Sequence, residues 1–281
     1  MKWLIILLFC SYTSYVQAQT VFTTRAPESD GDKRQEYVRK VLELSLQKTE
    51  AEYGPYILEL APPSSTMKRS FADLRRGSYE NFFIRDSVSK TSLSEFEFVP
   101  FPVDLGIVGY RAAFVAKKNL LQSVTTLDDL KKHTVVQGLG WLDTKILRAN
   151  GFNVETVGSY DGMFKIVASG RSDLFLRGVN ELLAEWTTYK HIPGLTYDEH
   201  VLLYYPLPRF FLTSKQNKEA AKRVYRGLVM AYDDGSLQKL WRQFYGPSID
   251  FVNLKSRRFF EIENPFLQGV DESYKKYLYR P

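Results

Sequence analysis

The sequence predicts an α/β protein, and three observations predict it. Short apolar strands alternate with helical stretches along the chain, the rhythm of strand–helix–strand units. Glycines and prolines fall between these elements, as turn and helix-end signals. The stretch V-V-Q-G-L-G-W-L-D-T-K-I-L, residues 135–147, reads as a buried strand, a glycine turn and the opening of a helix. Together these argue for mostly parallel sheets flanked by helices.

Each element follows from local pattern. Val21–Thr24 is a short β-branched run and reads as a strand. Beyond the polar loop 25–32, Val38, Leu42 and Leu46 share one side of a helix, flanked by Tyr37, Val41 and Leu44. Tyr56–Leu60 is a second strand, ended by Pro62 and Pro63. Thr66–Arg76 is a helix stopped by Gly77. Asn81–Ile84 is a third strand, and Phe96–Pro102 and Ile107–Val115 are extended. Then come a strand at Val135–Val136, a helix over Trp141–Asn150 closed by Gly151, and a strand at Val154–Val157. Ser159 caps a helix that ends at Ser169, with Gly170 closing it. Asp173–Leu176 is a strand, Val179–His191 a helix, and Val201–Leu212 an extended run broken by Pro206 and Pro208. Asn217 caps a helix to about Tyr232, and Ser236–Tyr245 follows the break at Asp234-Gly235. The last thirty or so residues are basic, aromatic and without a clear period.

The N-terminus reads as a secretory signal peptide: Lys2, an apolar run from Trp3 to Phe9, then Val16-Gln17-Ala18 as the cleavage pattern. The run is too short to span a bilayer, and bulky Phe9 before Cys10 does not suit a lipobox. Cleavage after Ala18 removes the only cysteine, so a mature chain of residues 19–281 has no disulfide and no cysteine metal site. It also removes Lys2, lowering the net charge of +6 by one. That mild basic excess suits an anionic ligand, and equally serves solubility.

The glycine turn is the most telling local feature. Gly138 and Gly140 lack a Cβ, so a ligand can approach their backbone. The helix that starts near Trp141 aims unpaired amides and the positive end of its dipole at the same gap. Gly138, Leu139, Gly140, Trp141 and Asp143 are therefore candidate ligand-binding residues. Trp141 is read either as a stacking surface or as packing, and Asp143 as a ligand acceptor or as a complement to the dipole.

Several segments, taken in order, resemble the type 2 periplasmic solute-binding proteins, specifically the family 3, amino-acid-binding-like group. They are Val124–Lys131, Val135–Gly140, Ser169–Asp173, and Asp233–Leu237 with Trp241. The resemblance implies two α/β lobes, each a mostly parallel sheet flanked by helices, joined by two crossover strands near Pro102–Tyr110 and Leu203–Arg209. It places the first part of lobe 1 at 19–106, lobe 2 at 107–204, and the rest of lobe 1 with the tail at 205–281. It implies a non-enzymatic, monomeric periplasmic protein that closes on a small polar, anionic solute and delivers it to an ABC-type importer in the inner membrane. A membrane-bound sensor as partner, and hydrolase or lyase chemistry on the same fold, are the alternatives. The chain departs from the amino-acid binders at two places. Thr91–Phe96 lacks the arginine that clamps an α-carboxylate in that group, and Arg177 stands where an acid is expected. An α-amino acid held in the usual way is thus not expected.

Arg177 ends an apolar strand, where open α/β sheets bind ligands, and its planar fork suits a carboxylate or phosphate. An ion pair with Glu181, one helical turn on, is an equal reading, and Glu181 could orient Arg177. Arg111 follows a crossover strand and faces either the cleft or a solvated edge. Arg25, with Ser29 close by, ends the first strand and is either a ligand contact or an exposed loop charge. No cofactor or metal is expected: His133, His191 and His200 lack ligand spacing, and there is no nucleophile elbow or Walker loop. Scattered charge on an exported chain argues against nucleic acid as partner.

Overall fold

The computed structural model describes residues 19–26, 33–62, 66–88, 90–118 and 121–281. Residues 1–18, where the signal peptide and Cys10 were read, and candidate Ser29 lie outside the described residues. In chain order the elements are β1 (Thr20–Thr24), α1 (Lys33–Lys48), α2 (Glu50–Tyr53), β2 (Tyr56–Leu60), α3 (Met67–Arg76), β3 (Phe82–Ser87), α4 (Lys90–Glu95), β4 (Phe96–Phe98) and β5 (Tyr110–Ala116). There follow α5 (Leu127–Lys131), β6 (Val135–Gly138), α6 (Leu142–Ala149), β7 (Val154–Val157), α7 (Tyr160–Ala168), β8 (Phe175–Gly178) and α8 (Leu182–Tyr189). The chain ends with β9 (Leu195–Tyr197), β10 (Val201–Tyr204), β11 (Arg209–Ser214), α9 (Lys218–Asp233), α10 (Ser236–Val252) and β12 (Arg258–Glu261).

Two sheets organise these elements. The first has the order β2-β1-β3-β11-β4. Within it β1 runs parallel to β2 and β3, and β11 is antiparallel to β3 and β4. The second has the order β12-β10-β5-β8, with β9 also on β5. The parallel pair β6–β7 joins it through a bridge between Val135 and Leu174. All seven residues of β5 are buried, as expected of a strand covered on both faces. The chain passes between the sheets from β4 to β5 and again from β10 to β11, the segments where crossovers were expected.

Local chemistry explains most boundaries. Thr66 accepts the Arg69 amide at the start of α3, and Gly77 closes that helix at φ +63°. Ser159 accepts the Gly162 amide at the start of α7. α1 buries Tyr37, Val38, Val41, Leu42 and Leu46. It packs on α9 at Gly227, where a Cβ would fall 1.9 Å from the Ser45 carbonyl oxygen. Only glycine permits that approach.

Two stretches differ from the sequence pattern. α10 runs through Pro247 to Val252 instead of ending near Tyr245. Its second half is held by neighbours: Ser248 Oγ donates to the Val179 carbonyl at 2.6 Å and accepts the Leu183 amide at 3.1 Å, while Ile249 and Val252 are buried. Packing outweighs the hydrogen bond that proline removes. The tail, which showed no clear period, adds β12 in parallel to β10 of the second sheet. It then ties both crossings together. Asn264 Nδ2 donates to the Pro206 carbonyl at 2.8 Å, and the Tyr279 amide to the Leu105 carbonyl at 2.8 Å.

Candidate functional site

The residues that carry charge into the interior lie between and beside the two crossings. β3 carries Arg85 and Asp86 just before its last residue, the first crossing holds Asp104, β11 begins with Arg209, β5 carries Arg111, α6 Asp143, β8 Arg177, and the β8–α8 turn Glu181. Asp104 is fully buried. Its Oδ1 accepts the Gly106 amide at 3.2 Å, while Oδ2 has no hydrogen-bond donor and lies 3.8 Å from Arg85 Nη1. Burial pushes the Asp104 carboxyl up, against the opposing pull of Arg85 and Arg209. Burial likewise raises Asp86, which Arg209, Arg85 and Arg25 oppose. For Arg85, burial works against its charge, but Tyr245, Asp104 and Glu181 outweigh it and hold the guanidinium above its usual pKa.

On the second sheet, Arg111 is buried, with Nη2 2.6 Å from Asp143 Oδ1 and its guanidinium carbon 5.1 Å from the centre of the Tyr205 ring. The same Asp143 oxygen accepts the Tyr205 hydroxyl at 2.6 Å. Burial would raise the Asp143 carboxyl, but Arg111, the Tyr205 hydrogen bond, Arg209 and Arg177 together bring it below the ordinary value.

Arg177 lies inside β8, not beyond its end. Its Nε donates to both oxygens of Glu185, at 2.9 and 3.0 Å, and its Nη2 donates to Glu181 Oε2 at 2.9 Å and to the Tyr160 hydroxyl at 3.1 Å. The structure therefore pairs Arg177 with two acids, so this guanidinium does not offer a ligand a free fork. Glu185 is the partner that the sequence reading missed.

The glycine turn also differs from expectation. The Trp141 indole lies over Gly138, where a Cβ would fall 2.2 Å from the ring. The Leu139 amide donates to the Val157 carbonyl at 3.0 Å and the Trp141 amide to the Gly138 carbonyl at 3.2 Å. Thr144 Oγ1 also donates to the Gly138 carbonyl. Two amides of the turn, those of Leu139 and Trp141, are thus already paired within the protein, and Leu139 and Gly140 are exposed. Gly138 is small because a tryptophan, not a ligand, covers it.

Arg25 is buried, not an exposed loop charge, and its Nη1 reaches Met67 Sδ at 2.9 Å. Arg111 is buried too, which removes the solvated-edge reading. Arg85, Asp104 and Arg209 were not anticipated. The signal that singled out Arg177, an apolar strand closing on arginine, is also present in F-F-I-R-D at 82–86.

The site's unpartnered atoms are mostly donors. Among the described residues, Arg85 Nε, Arg209 Nε, Arg111 Nε and Arg111 Nη2 are buried without a hydrogen-bond acceptor. Arg111 Nη2 is at ion-pair distance from Asp143 yet off the hydrogen-bonding direction. Buried guanidinium donors in this state are costly unless something accepts from them. Two surface pockets open elsewhere, one between α1 and α10 beside Lys40 and Lys239, the other beside Trp186, Tyr197 and His200.

Two α/β sheets joined by paired crossings make the two-lobed fold seen in solved type 2 periplasmic binding proteins. Solved structures share this fold. An ancestral arginine-binding protein bound to arginine is 18% identical, with 82% of this chain and 99% of that chain covered and a TM-score of 0.55. A periplasmic His/Glu/Gln/Arg/opine family-binding protein from Silicibacter pomeroyi, in complex with lysine, is 10% identical, with 81% and 97% covered and a TM-score of 0.56. A Streptococcus mutans structure concerned with glutathione import via GshT and the cystine ABC importer TcyBC is 13% identical, with 82% and 96% covered and a TM-score of 0.55. No protein-family model matches this chain, and no curated protein matches it in sequence. Among the described residues, no helix is long and apolar enough to cross a membrane.

Proposed function

We propose that this chain is an exported solute-binding protein that captures a small anionic molecule between its two lobes and hands it to an ABC-type importer. The carrying observation is the set of buried, acceptor-less nitrogens on Arg85 and Arg209, from neighbouring strands of the first sheet, and on Arg111, from the second sheet. A carboxylate or phosphate supplies the acceptors they lack, and an arginine fork binds either with two parallel hydrogen bonds. Because the three arginines sit on different sides of the crossings, a ligand held by all of them favours the closed arrangement over an open one. The fold likeness supports solute capture, since the solved proteins it includes were seen bound to arginine, glutamine, lysine and glutamate. The signal-like leader supports export to the periplasm. The two crossings serve as the hinge, with 19–106 and 205–257 forming most of one lobe and 107–204 most of the other.

The test is a thermal-shift and calorimetric panel on residues 19–281, using small mono- and dicarboxylates, phosphate esters, and basic amino acids. Saturable stabilisation by an anionic class, weakened at least tenfold in Arg85→Ala and in Arg209→Ala, is the expected result. If no anion binds, or if both variants bind as the parent does, the reading fails.

A further inference from the structure

Arg177 occupies surroundings that resemble a receptor for its own functional group. Its guanidinium carbon lies 5.1 Å from the Trp141 ring centre, 5.4 Å from Tyr160 and 5.2 Å from Phe175. Two carboxylates close the ring of contacts: Glu185 takes Nε on both oxygens, and Glu181 takes Nη2. Tyr160 accepts from Nη2 and donates its hydroxyl to Glu185 Oε1 at 2.5 Å, so its oxygen is fixed in place. Aromatic walls combined with paired carboxylates are the chemistry that selects a guanidinium or ammonium ion.

The cradle is more than one arginine's structural partner. It sets two acids around one guanidinium, with Glu185 on Nε and Glu181 on Nη2. Its outer walls reach the surface: Tyr160 is 37% exposed, Trp141 is half-buried, and the Glu181 side chain is 18% exposed. The strand of Arg177 adjoins the one that carries Arg111, with Arg177 opposite Ala112 and Gly178 opposite Arg111.

We propose that Arg177 is a specificity-determining residue, a tethered guanidinium that fills a cation cradle built by Trp141, Tyr160, Glu181 and Glu185 and so bars cationic solutes from the cleft. The barring of solutes rests on the proposed binding function; the existence of the cradle does not. Removing the tether leaves a cavity of guanidinium shape and negative charge, which a free guanidinium ion refills.

The experiment uses residues 19–281 with methylguanidinium as probe, and urea and sodium chloride at equal concentration as controls for shape and ionic strength. Arg177→Ala is expected to melt several degrees below the parent. Millimolar methylguanidinium should restore at least half of that loss, saturably, while leaving the parent unmoved. Adding Glu185→Gln should abolish the rescue. Free L-arginine should bind Arg177→Ala at least tenfold more tightly than it binds the parent. Should Arg177→Ala not fold, Arg177→Gln, shorter but still a donor, carries the same comparison. No rescue beyond the controls, or an equal response by the parent, overturns the cradle. Rescue without gain of arginine binding overturns the specificity role. None of these readouts uses the natural solute, so a failed anion panel and a failed rescue are separate results.

Discussion

Tyr205 and Asp143 tie the second crossing to the second lobe: the Tyr205 hydroxyl donates to Asp143 Oδ1 at 2.6 Å, and both groups are buried. The ring of Tyr205 also supports Arg111, the other partner of that oxygen. The second crossing and Arg111 are therefore coupled through one carboxylate.

Tyr205→Phe removes a hydrogen bond to a charged acceptor while keeping the ring. Such bonds contribute about 1.5–3 kcal/mol, and the loss should fall near the low end because Arg111 still faces the oxygen. Urea denaturation measures it; an unchanged midpoint would show that the hydroxyl contributes nothing.

Asp143 also fixes a pH dependence. Its carboxyl is held below the ordinary 3.8 by Arg111, Tyr205, Arg209 and Arg177 against the cost of burial. The unfolded chain therefore takes up this proton first as pH falls. The stabilisation is complete above about 3.8 and is lost below it. Asp143→Asn should lie well below the parent in melting temperature at pH 7, and the gap should narrow at pH 3. Asp104 has the opposite sign, because burial raises its carboxyl. The native state holds that proton longer, so stability falls as pH rises above 3.8 toward the raised value. Asp104→Asn should accordingly gain on the parent across that window. A gap of either variant that does not change with pH would show that the assigned coupling is absent.

At the helix pair α1–α9, Gly227→Ala places a methyl where the Ser45 carbonyl already stands. Overpacking of this kind costs about 1–3 kcal/mol. Because backbone and not a flexible side chain must move, a loss at the upper end is expected in chemical denaturation, with no effect on the charge cluster.

Gly138→Ala drives a Cβ into the Trp141 indole. The indole must leave its place beside Phe175 and Arg177. A lowered melting temperature together with an altered near-ultraviolet circular dichroism band is expected. A variant with native signals would mean that the indole is free to shift.

Much of the element order was legible because its causes are local. Thr66, Gly77, Ser159 and Gly170 mark helix ends through hydrogen bonds or dihedrals that span only a few residues, and β2 and β7 fall where the pattern puts them. The α10 extension past Pro247 was not legible, since contacts with Val179 and Leu183 decide it. The site was legible only in part. Arg177 and Arg111 stood out at strand ends, but Glu185 reaches Arg177 from a helix whose rotation no local pattern announces. Arg85, Asp104 and Arg209 are neighbours only because two crossings bring separate segments together.

By itself, then, the sequence determined the alternation of strands and helices, the caps that bound them, and the basic, glycine-marked stretches at which to look. These depend on backbone preference and on apolar periodicity, which act over one or two turns. The tertiary structure alone decided which charges are satisfied. It gave Arg177 two acids, laid Trp141 over Gly138, and left nitrogens of Arg85, Arg209 and Arg111 without acceptors. Whether a buried charge is paired or available depends on ångström-scale distances between distant segments, and those distances exist only once the chain has packed.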